Sequence, residues 1–283
     1  MRSIAIMNQK GGVGKTTTAV NLSAALVDEG RTVCLVDLDP QAHASLHLGV
    51  AMVEGEPSIY EVLLGNATIG DVRRKLAENL WIVPSHINLA AAELELAGEV
   101  GRELLLRDRL ADDRETFDFL IIDCPPSLGV LTLNALTAVR EVILPLQPHF
   151  LALHGLSKLL ETIDLVAKRL NQGLRLSGIL FCMYDANTRL AIEVTDDVDA
   201  FFRAARSQQT SWSGARTFET RIRRNVRLAE APSFGQSIFQ YAPGSNGAED
   251  YRQLAREILS SGPGDAPPPG AHASRAARSA NSC

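Results

Sequence analysis

The sequence is short of aromatic residues, of secretory features and of long apolar runs, and each shortage excludes a class of protein. Only 5% of its 283 residues are aromatic, so small aliphatic side chains fill the core, as is typical of parallel strands covered by helices. No apolar run approaches the roughly 18–20 residues that a membrane-spanning helix needs. A strand-like run, residues 3–7, directly follows Met1 and Arg2 without a secretory signal. We therefore expect a cytoplasmic protein.

Cysteine is also scarce. The four cysteines include no CxxC pair and have no histidine at metal-ligand spacing. Three of them lie in or beside apolar runs, where cysteine usually acts as a small buried hydrophobe. This pattern argues against a metal or redox site and fits a reducing compartment. The cysteines are Cys34, Cys124, Cys182 and Cys283.

Positive charge is concentrated in one segment of an otherwise acidic chain. The net charge is −5, which argues against a protein whose whole surface is positively charged. Residues 203–227 nevertheless contain seven arginines and one acidic residue, Glu219. Because electrostatic fields depend on how charge is distributed, a local basic surface remains possible.

Alternating strand-like and helix-like patterns predict an α/β fold. Most strand-like runs are continuously apolar, which is typical of strands covered on both faces. Helical stripes lie between several of them, at residues 19–26 with Gly30 as a stop signal, and at residues 156–166. We predict a mostly parallel, twisted sheet with helices on both faces. The six predicted strands are residues 4–8, 32–37, 80–83, 119–123, 142–146 and 179–182.

One folded domain is expected over residues 1–259, followed by a disordered tail over residues 260–283. The composition changes there to Pro, Gly, Ala and Ser, including three consecutive prolines. Such a segment buries too little apolar surface to offset the entropy lost on ordering.

The most informative stretch is QKGGVGKTT, residues 9–17, which follows a strand and opens a helix. Its glycines let backbone N–H groups approach phosphate oxygens, and the helix N-terminus adds partial positive charge. Lys15 would reach the β- and γ-phosphates of ATP, and the Thr16 hydroxyl would ligate Mg²⁺. The stretch predicts ATP binding by Gly11, Gly12, Val13, Gly14, Lys15, Thr16 and Thr17.

Carboxylates follow two further apolar runs. Asp37 and Asp39 are two residues apart, so we expect both side chains on one side of an extended chain. Asp123 ends the apolar run 119–122. A carboxylate at the carboxyl end of a buried strand is costly unless it meets a cation or polarises water. We expect Asp123 to lie near Mg²⁺ through the water shell of the ion.

The glycine-rich loop departs from the general GxxxxGK[ST] pattern, because Gln9 replaces the first glycine and Lys10 adds a second lysine. It resembles the deviant Walker A motif of the ParA/MinD group of ATPases, which implies a P-loop NTPase fold of the SIMIBI type. The resemblance implies that Lys10 crosses a dimer interface to touch the partner's ATP and that Asp39 positions the attacking water. The catalytic residues implied are Lys10, Lys15 and Asp39, and the metal residues are Thr16, Asp39 and Asp123.

The chain is similar to ParA-type partition ATPases over nearly its whole folded length, in particular through the run RNVRLAEAPS at residues 224–233. This resemblance implies a homodimer that forms with ATP, binds double-stranded DNA without sequence preference and is stimulated by a ParB/Spo0J-like partner. It also implies ATP binding by Lys10 and a base contact by Asn225. The DNA-binding residues implied are Arg189, Arg221, Arg224 and Arg227.

Three positions differ from the family pattern. Arg223 stands where relatives have a proline beside the adenine pocket, and we include it with Asn225 among the ATP-binding residues. Asn187 replaces an arginine, so that Arg189 would substitute for it. Ala42 and the histidine after it replace Gly-Asn, and residues 207–215 resemble an insertion in a surface loop.

Three other functions could use the same phosphate-binding loop. Two of them require features that this sequence lacks, and the sequence leaves the third open. A MinD-like membrane cycler requires a C-terminal amphipathic helix, whereas residues 260–283 contain three consecutive prolines and no apolar stripe. An iron–sulfur carrier requires clustered cysteines, and Cys124 has no second cysteine nearby. A ParA relative that positions another cargo, such as a microcompartment or a chemoreceptor array, remains open.

Overall fold

The computed structural model describes residues 1–53, 55–149 and 155–262. The last described helix ends at Ser260. Nearly all of the predicted tail and Cys283 therefore lie outside the described residues.

A central sheet of nine strands organises the described chain, in the order β3-β4-β2-β5-β1-β6-β7-β8, with β9 also paired to β7. All pairs are parallel except the antiparallel pair β3–β4. The prediction of a mostly parallel sheet is confirmed. The strands are β1 (Arg2–Ile6), β2 (Val33–Asp37), β3 (Arg74–Ala77), β4 (Leu80–Val83), β5 (Phe119–Asp123), β6 (Glu141–Leu146), β7 (Arg175–Tyr184), β8 (Arg216–Thr217) and β9 (Ile222–Arg223).

Six of these strands were predicted, and β3, β8 and β9 were not. The missed strands are two to four residues long and carry charged residues. Their pairing depends on neighbouring strands rather than on an apolar run of their own. β7 extends several residues beyond the predicted run at both ends.

Helices cover both faces of the sheet, as predicted. Successive residues of β1 point to opposite faces, so that Ile4 and Ile6 join one buried cluster whereas Ala5 and Met7 join the other. The helices are α1 (Lys15–Asp28), α2 (His43–His47), α3 (Ile59–Leu64), α4 (Ile69–Val72), α5 (Leu89–Glu95), α6 (Leu105–Ala111), α7 (Val130–Ala138), α8 (Leu156–Arg169), α9 (Arg189–Ala205), α10 (Val226–Glu230), α11 (Ile238–Tyr241) and α12 (Asn246–Ser260).

The two predicted helical stripes are buried. In α1, Ala19, Leu22 and Leu26 are inaccessible to solvent and face α12 and the sheet. The chain leaves α1 through Gly30, whose φ of 77° favours glycine. The apolar stripe of α8 packs on the other face of the sheet. Among the described residues, no helix combines the length and apolar character that crossing a membrane requires.

Candidate nucleotide-binding site

A cavity of about 900 Å³ lies at the carboxyl ends of the central strands. Its wall combines the glycine-rich loop, the segment after β2, the end of β7 and the segment that begins with β9. Most of the predicted ATP-binding residues meet here. Those lining the cavity are Gly11, Gly12, Gly14, Lys15, Thr16, Thr17, Arg223 and Asn225.

The loop between β1 and α1 is shaped to bind an anion through its backbone. Gly14 precedes α1 with a φ of 96°, and Gly12 has a φ of 74°, so both positions favour glycine. Gly14 has no side chain that could accept a hydrogen bond from the first turn of α1. The free N–H groups of that turn and the positive end of the helix therefore face the cavity, as phosphate binding requires.

Lys15 brings a buried ammonium group to this loop. Its side chain is 7% exposed, and its Nζ donates to the Lys10 carbonyl oxygen at 3.2 Å. Burial lowers the pKa of Lys15, and the carboxylates of Asp123 and Asp39 oppose that shift. The lysine thus stands between the loop and two acidic groups.

Asp123 is the most unusual acid of the site. It is fully buried, and within the described structure neither carboxylate oxygen has a hydrogen-bond partner of normal geometry. Burial and the neighbouring Asp37 raise its pKa well above the usual range, whereas Thr16 and Lys15 act in the opposite direction. Such a buried carboxyl group is stabilised by a proton, as its raised pKa indicates, or by a cation that binds with the ligand.

These residues fit a magnesium ion that arrives with a nucleotide. Mg²⁺ commonly binds one or two protein oxygens and completes its shell with water and phosphate. The described chain contains no cluster of three His, Cys, Asp or Glu side chains that would hold a metal alone. Thr16 and Asp123 would hold Mg²⁺, which when bound neutralises charge on the phosphates.

Asp37 and Asp39 have different environments, although both carboxylates lie close enough to Asp123 to raise its pKa. The Asp37 carboxylate accepts hydrogen bonds from the Ser45 amide at 2.8 Å and its hydroxyl at 2.7 Å. Burial raises the pKa of Asp37 to about 6. Only Asp39 lines the cavity, and its Oδ1 accepts from the Gln41 amide at 2.9 Å. Because β2 ends at Asp37, strand alternation no longer applies beyond it.

The unpaired carboxylate gives a stability prediction. Without nucleotide and Mg²⁺, Asp123→Asn is expected to raise the unfolding temperature by about 2–6 °C at pH 8, because it removes a buried uncompensated charge. A raised folded-state pKa means that stability decreases as pH rises, so the gain should shrink at pH 5. Thermal unfolding at both pH values measures it.

Asp118→Asn is the matched control for Asp123→Asn, because Asp118 directly precedes β5 and Asp123 ends it. The Oδ2 of Asp118 accepts from the Thr32 amide and hydroxyl at 2.9 and 3.0 Å, and its pKa is lowered by the Thr32 amide. Asp118→Asn should therefore lower the unfolding temperature slightly at pH 8. A lower unfolding temperature for Asp123→Asn at pH 8 would show that the carboxylate is stabilising.

Known proteins resemble this chain over most of its length. A family model described as an AAA domain matches residues 1–176. The Bacillus subtilis protein named sporulation initiation inhibitor protein Soj is 46% identical over 260 residues, which cover 92% of this chain and 98% of that protein. The chromosome partitioning protein ParA of Myxococcus xanthus is 44% identical, covering 91% of this chain and 88% of that protein. The chain belongs to the ParA/Soj family of ATPases.

A solved structure also carries the ligands that the site fits. The Mycobacterium smegmatis protein named cobyrinic acid a,c-diamide synthase was crystallised with ADP and magnesium. It shares 38% identity and a TM-score of 0.77 with this ParA/Soj chain, covering 91% of this chain and 94% of that one.

Two residues predicted to bind ATP do not line the cavity of their own subunit. Lys10 of this ParA/Soj chain is exposed, and its Nζ contacts Nε2 of His149. The Val13 side chain is buried, so only its backbone is available to a ligand. The sequence pattern groups both residues with the loop but does not reveal where their side chains point.

The opposite wall holds the two residues predicted near the base. Arg223 donates to Asp250 through Nε at 3.0 Å and Nη2 at 2.6 Å, and this partner raises the pKa of Arg223. Asn225 precedes α10, and its Oδ1 accepts from the Arg227 amide at 2.8 Å. Its amide nitrogen is therefore the part of the side chain left for a ligand.

The predicted DNA-binding arginines differ in availability. The Arg189 side chain is 92% exposed and pairs with Glu193, while Arg227 is 55% exposed and pairs with Glu230. Arg224 is exposed, lines the cavity mouth and has no ion-pair partner in the described chain. Arg221 packs over the Tyr184 ring at 4.7 Å and is half-buried, which makes it the least available of the four.

Three of the seven arginines in residues 203–227 form ion pairs with acids outside this segment, Arg227 with Glu230 among them. Arg216 pairs with Glu257, and Arg223 with Asp250. The segment is therefore less basic in the folded protein than its sequence suggests.

Sequence reasoning missed two buried cavity residues. His47 is 3% exposed, burial lowers its pKa to about 4, and its Nε2 has no partner among the described residues. The hydroxyl of Tyr251, in α12, lies 3.2 Å from the Thr18 hydroxyl in α1. Neither residue belongs to a local motif, so only the tertiary fold brings them to the site.

Proposed function

We propose that this protein is an ATP-dependent partition ATPase whose ATP-bound dimer holds DNA. Binding of ATP and Mg²⁺ closes two copies face to face, and hydrolysis separates them and releases the DNA. The observation that carries the proposal is the unpaired Asp123 carboxylate, which is buried close to Lys15, at the start of the helix that follows the glycine-rich loop. Relatives at 41–46% identity are named for chromosome partitioning.

In the proposed hydrolysis, a water oriented by Asp39 attacks the γ-phosphorus, and the bond from that phosphorus to the oxygen of the leaving ADP breaks. Asp39 lines the cavity, and its second oxygen is left to accept a hydrogen bond from water because Oδ1 is used by Gln41. Lys15 and the N–H groups at the start of α1 stabilise the charge that develops on the phosphate oxygens.

Lys10 is proposed to act across the dimer interface. It is exposed and does not line the cavity of its own subunit, which is compatible with a contact to the nucleotide of the second copy. This arrangement makes hydrolysis depend on dimer formation, so that turnover of the isolated subunit is slow. A ParB-like partner would accelerate it, and the ATP-bound form would reside on the nucleoid.

DNA is proposed to contact Arg189, Arg224 and Arg227, with Arg221 in a supporting position. Contacts from such side chains to phosphates give salt-dependent affinity without base readout. The two copies of a dimer would each contribute the set. Another cargo in place of DNA remains the alternative, and it predicts no ATP-dependent DNA binding.

A gel-shift assay with ATP, ADP or no nucleotide, at two salt concentrations, tests this function. We expect retention of DNA only with ATP and weaker retention at higher salt. Arg227→Glu is expected to weaken DNA affinity about tenfold or more, because it reverses a charge in both subunits.

Arg256→Glu is the matched control for this prediction. The Arg256 side chain is 58% exposed and pairs with Glu29, much as Arg227 pairs with Glu230, but it lies on α12. Arg256→Glu should change DNA affinity by no more than a few-fold from that of the unaltered protein. Equal effects of the two reversals, or DNA binding that ignores nucleotide, would contradict the proposal.

A further inference from the structure

A second cavity lies at the other end of the strands. Its volume is about 250 Å³, and the amino ends of β1, β6, β7 and β8 contribute to its wall. Four residues of the segment that resembles an insertion, and the two residues that follow α12, complete the wall: Thr210, Ser211, Ser213, Gly214, Ser261 and Gly262. We name this space the amino-end cavity. None of its lining residues belongs to the nucleotide site.

The wall of the amino-end cavity has an excess of positive charge. Arg2, Arg175 and Arg216 contribute three guanidinium groups, against the single carboxylate of Glu141. Glu141 is 2% exposed and is already bonded to Arg2 Nε at 2.8 Å and to the Ser177 hydroxyl at 2.6 Å. Arg2 therefore compensates Glu141. Glu257, which does not line the cavity, compensates Arg216, so the three arginines face two carboxylates and one positive charge remains in excess.

Arg175 and Arg216 retain most of their hydrogen-bonding capacity. Arg175 lies 3.5 Å from Glu141, and Arg216 lies 3.5 Å from Glu257, which does not line the cavity. Within the described chain these are their only ion pairs, and neither guanidinium donates a hydrogen bond of normal geometry. Each guanidinium offers five N–H donors in a planar fork suited to oxyanions.

An unpaired hydroxyl lies among these charges. Thr210 lines the cavity, and its Oγ1 is buried without a partner among the described residues. The backbone there is fixed, because the Thr210 carbonyl accepts from the Ser213 hydroxyl at 2.9 Å. Buried polar groups of this kind usually meet a water, an ion or a ligand.

We propose that the amino-end cavity is a binding site for a phosphate group. The negative charge of a phosphate group is opposite to the excess charge of the wall, and its several oxygens can accept from both guanidinium forks and from Thr210. A carboxylate ligand would bring only two acceptor oxygens and leave part of this set of donors unused. The volume accommodates inorganic phosphate or a small phosphate monoester.

A tryptophan beside the cavity allows a local test. Trp212 lies between two lining residues, Ser211 and Ser213, and the other tryptophan, Trp81, belongs to the far side of the sheet in β4. The protein to titrate is full-length Trp81→Phe carrying Lys15→Ala, which removes phosphate binding at the nucleotide loop. Inorganic phosphate is added at constant ionic strength, with sodium chloride as the blank.

A saturable change in Trp212 emission is expected with phosphate and not with chloride. Arg175→Gln and Arg216→Gln should each weaken phosphate binding about tenfold or more. Thr210→Val, which preserves the side-chain shape, should weaken it by a smaller factor. Arg206→Gln, at an exposed arginine outside the cavity, should leave it unchanged.

The titration has outcomes that would contradict the proposed phosphate site. No saturable response, or equal affinity in the Arg175, Arg216 and Arg206 variants, would overturn the proposal, and unfolding temperatures identify any variant that fails to fold. The Thr210→Val protein provides a test even if an arginine variant is unstable. Because the nucleotide cavity lies at the opposite strand ends, either result leaves the partition proposal standing.

Discussion

Lys15→Ala is expected to weaken ATP binding about a hundredfold or more. The substitution removes a buried ammonium group from the loop and leaves Asp39 and Asp123 without it. Phosphate oxygens would then meet two carboxylates without a fixed positive side chain between them. Loss of one partner from a buried charge pair costs about 2–5 kcal/mol, which converts to this range of affinity. Isothermal titration calorimetry with ATP and Mg²⁺ measures it.

Lys10→Ala provides the matched control within the same loop. Lys10 is exposed and does not line the cavity of its own subunit, so ATP affinity of the monomer should stay within a few-fold. Dimer formation with ATP should weaken instead. Retained ATP affinity in Lys15→Ala would refute the assignment of the loop, and equal losses in both variants would refute the distinct role of Lys10.

Asp39→Ala is expected to reduce ATP hydrolysis about a hundredfold or more while ATP still binds, because the variant lacks the group that orients water. The dimer should persist and hold DNA longer than the unaltered protein. Phosphate release, light scattering and the gel-shift assay measure these three properties separately.

Asp39→Asn separates the chemistry from the structure of the turn. Asp39 Oδ1 accepts from the Gln41 amide at 2.9 Å, and an asparagine keeps that acceptor, whereas alanine removes it. Both variants should lose hydrolysis to a similar extent. A monomer in the presence of ATP, or undiminished hydrolysis in Asp39→Asn, would contradict the role of Asp39 in positioning water.

Local patterns predicted the parts of the site that lie within one strand–loop unit. The loop before α1 needs positive φ at Gly12 and Gly14, and the sequence has glycine, the residue that favours positive φ, at both positions. Asp123 was predicted from an apolar run ending in an acid, because parallel strands bring their carboxyl ends to one edge.

Other features depend on pairs that are distant in sequence. The charge of Arg223 is compensated by Asp250, and that of Arg216 by Glu257, residues 27 and 41 positions later. No spacing rule connects such partners, so the basic segment looked more positive than the fold makes it. The buried position of His47 and the edge strand β8 follow from packing in the same manner.

Two consecutive residues of α12 hold different walls of the nucleotide cavity. Asp250 binds Arg223 on one wall, and Tyr251 contacts Thr18 in α1, which follows the glycine-rich loop. A small rotation of this helix would shift both walls together. Substitutions on the outer surface of α12 would therefore change nucleotide affinity even where the substituted side chain does not touch the ligand. Such substitutions would be subject to natural selection through that affinity.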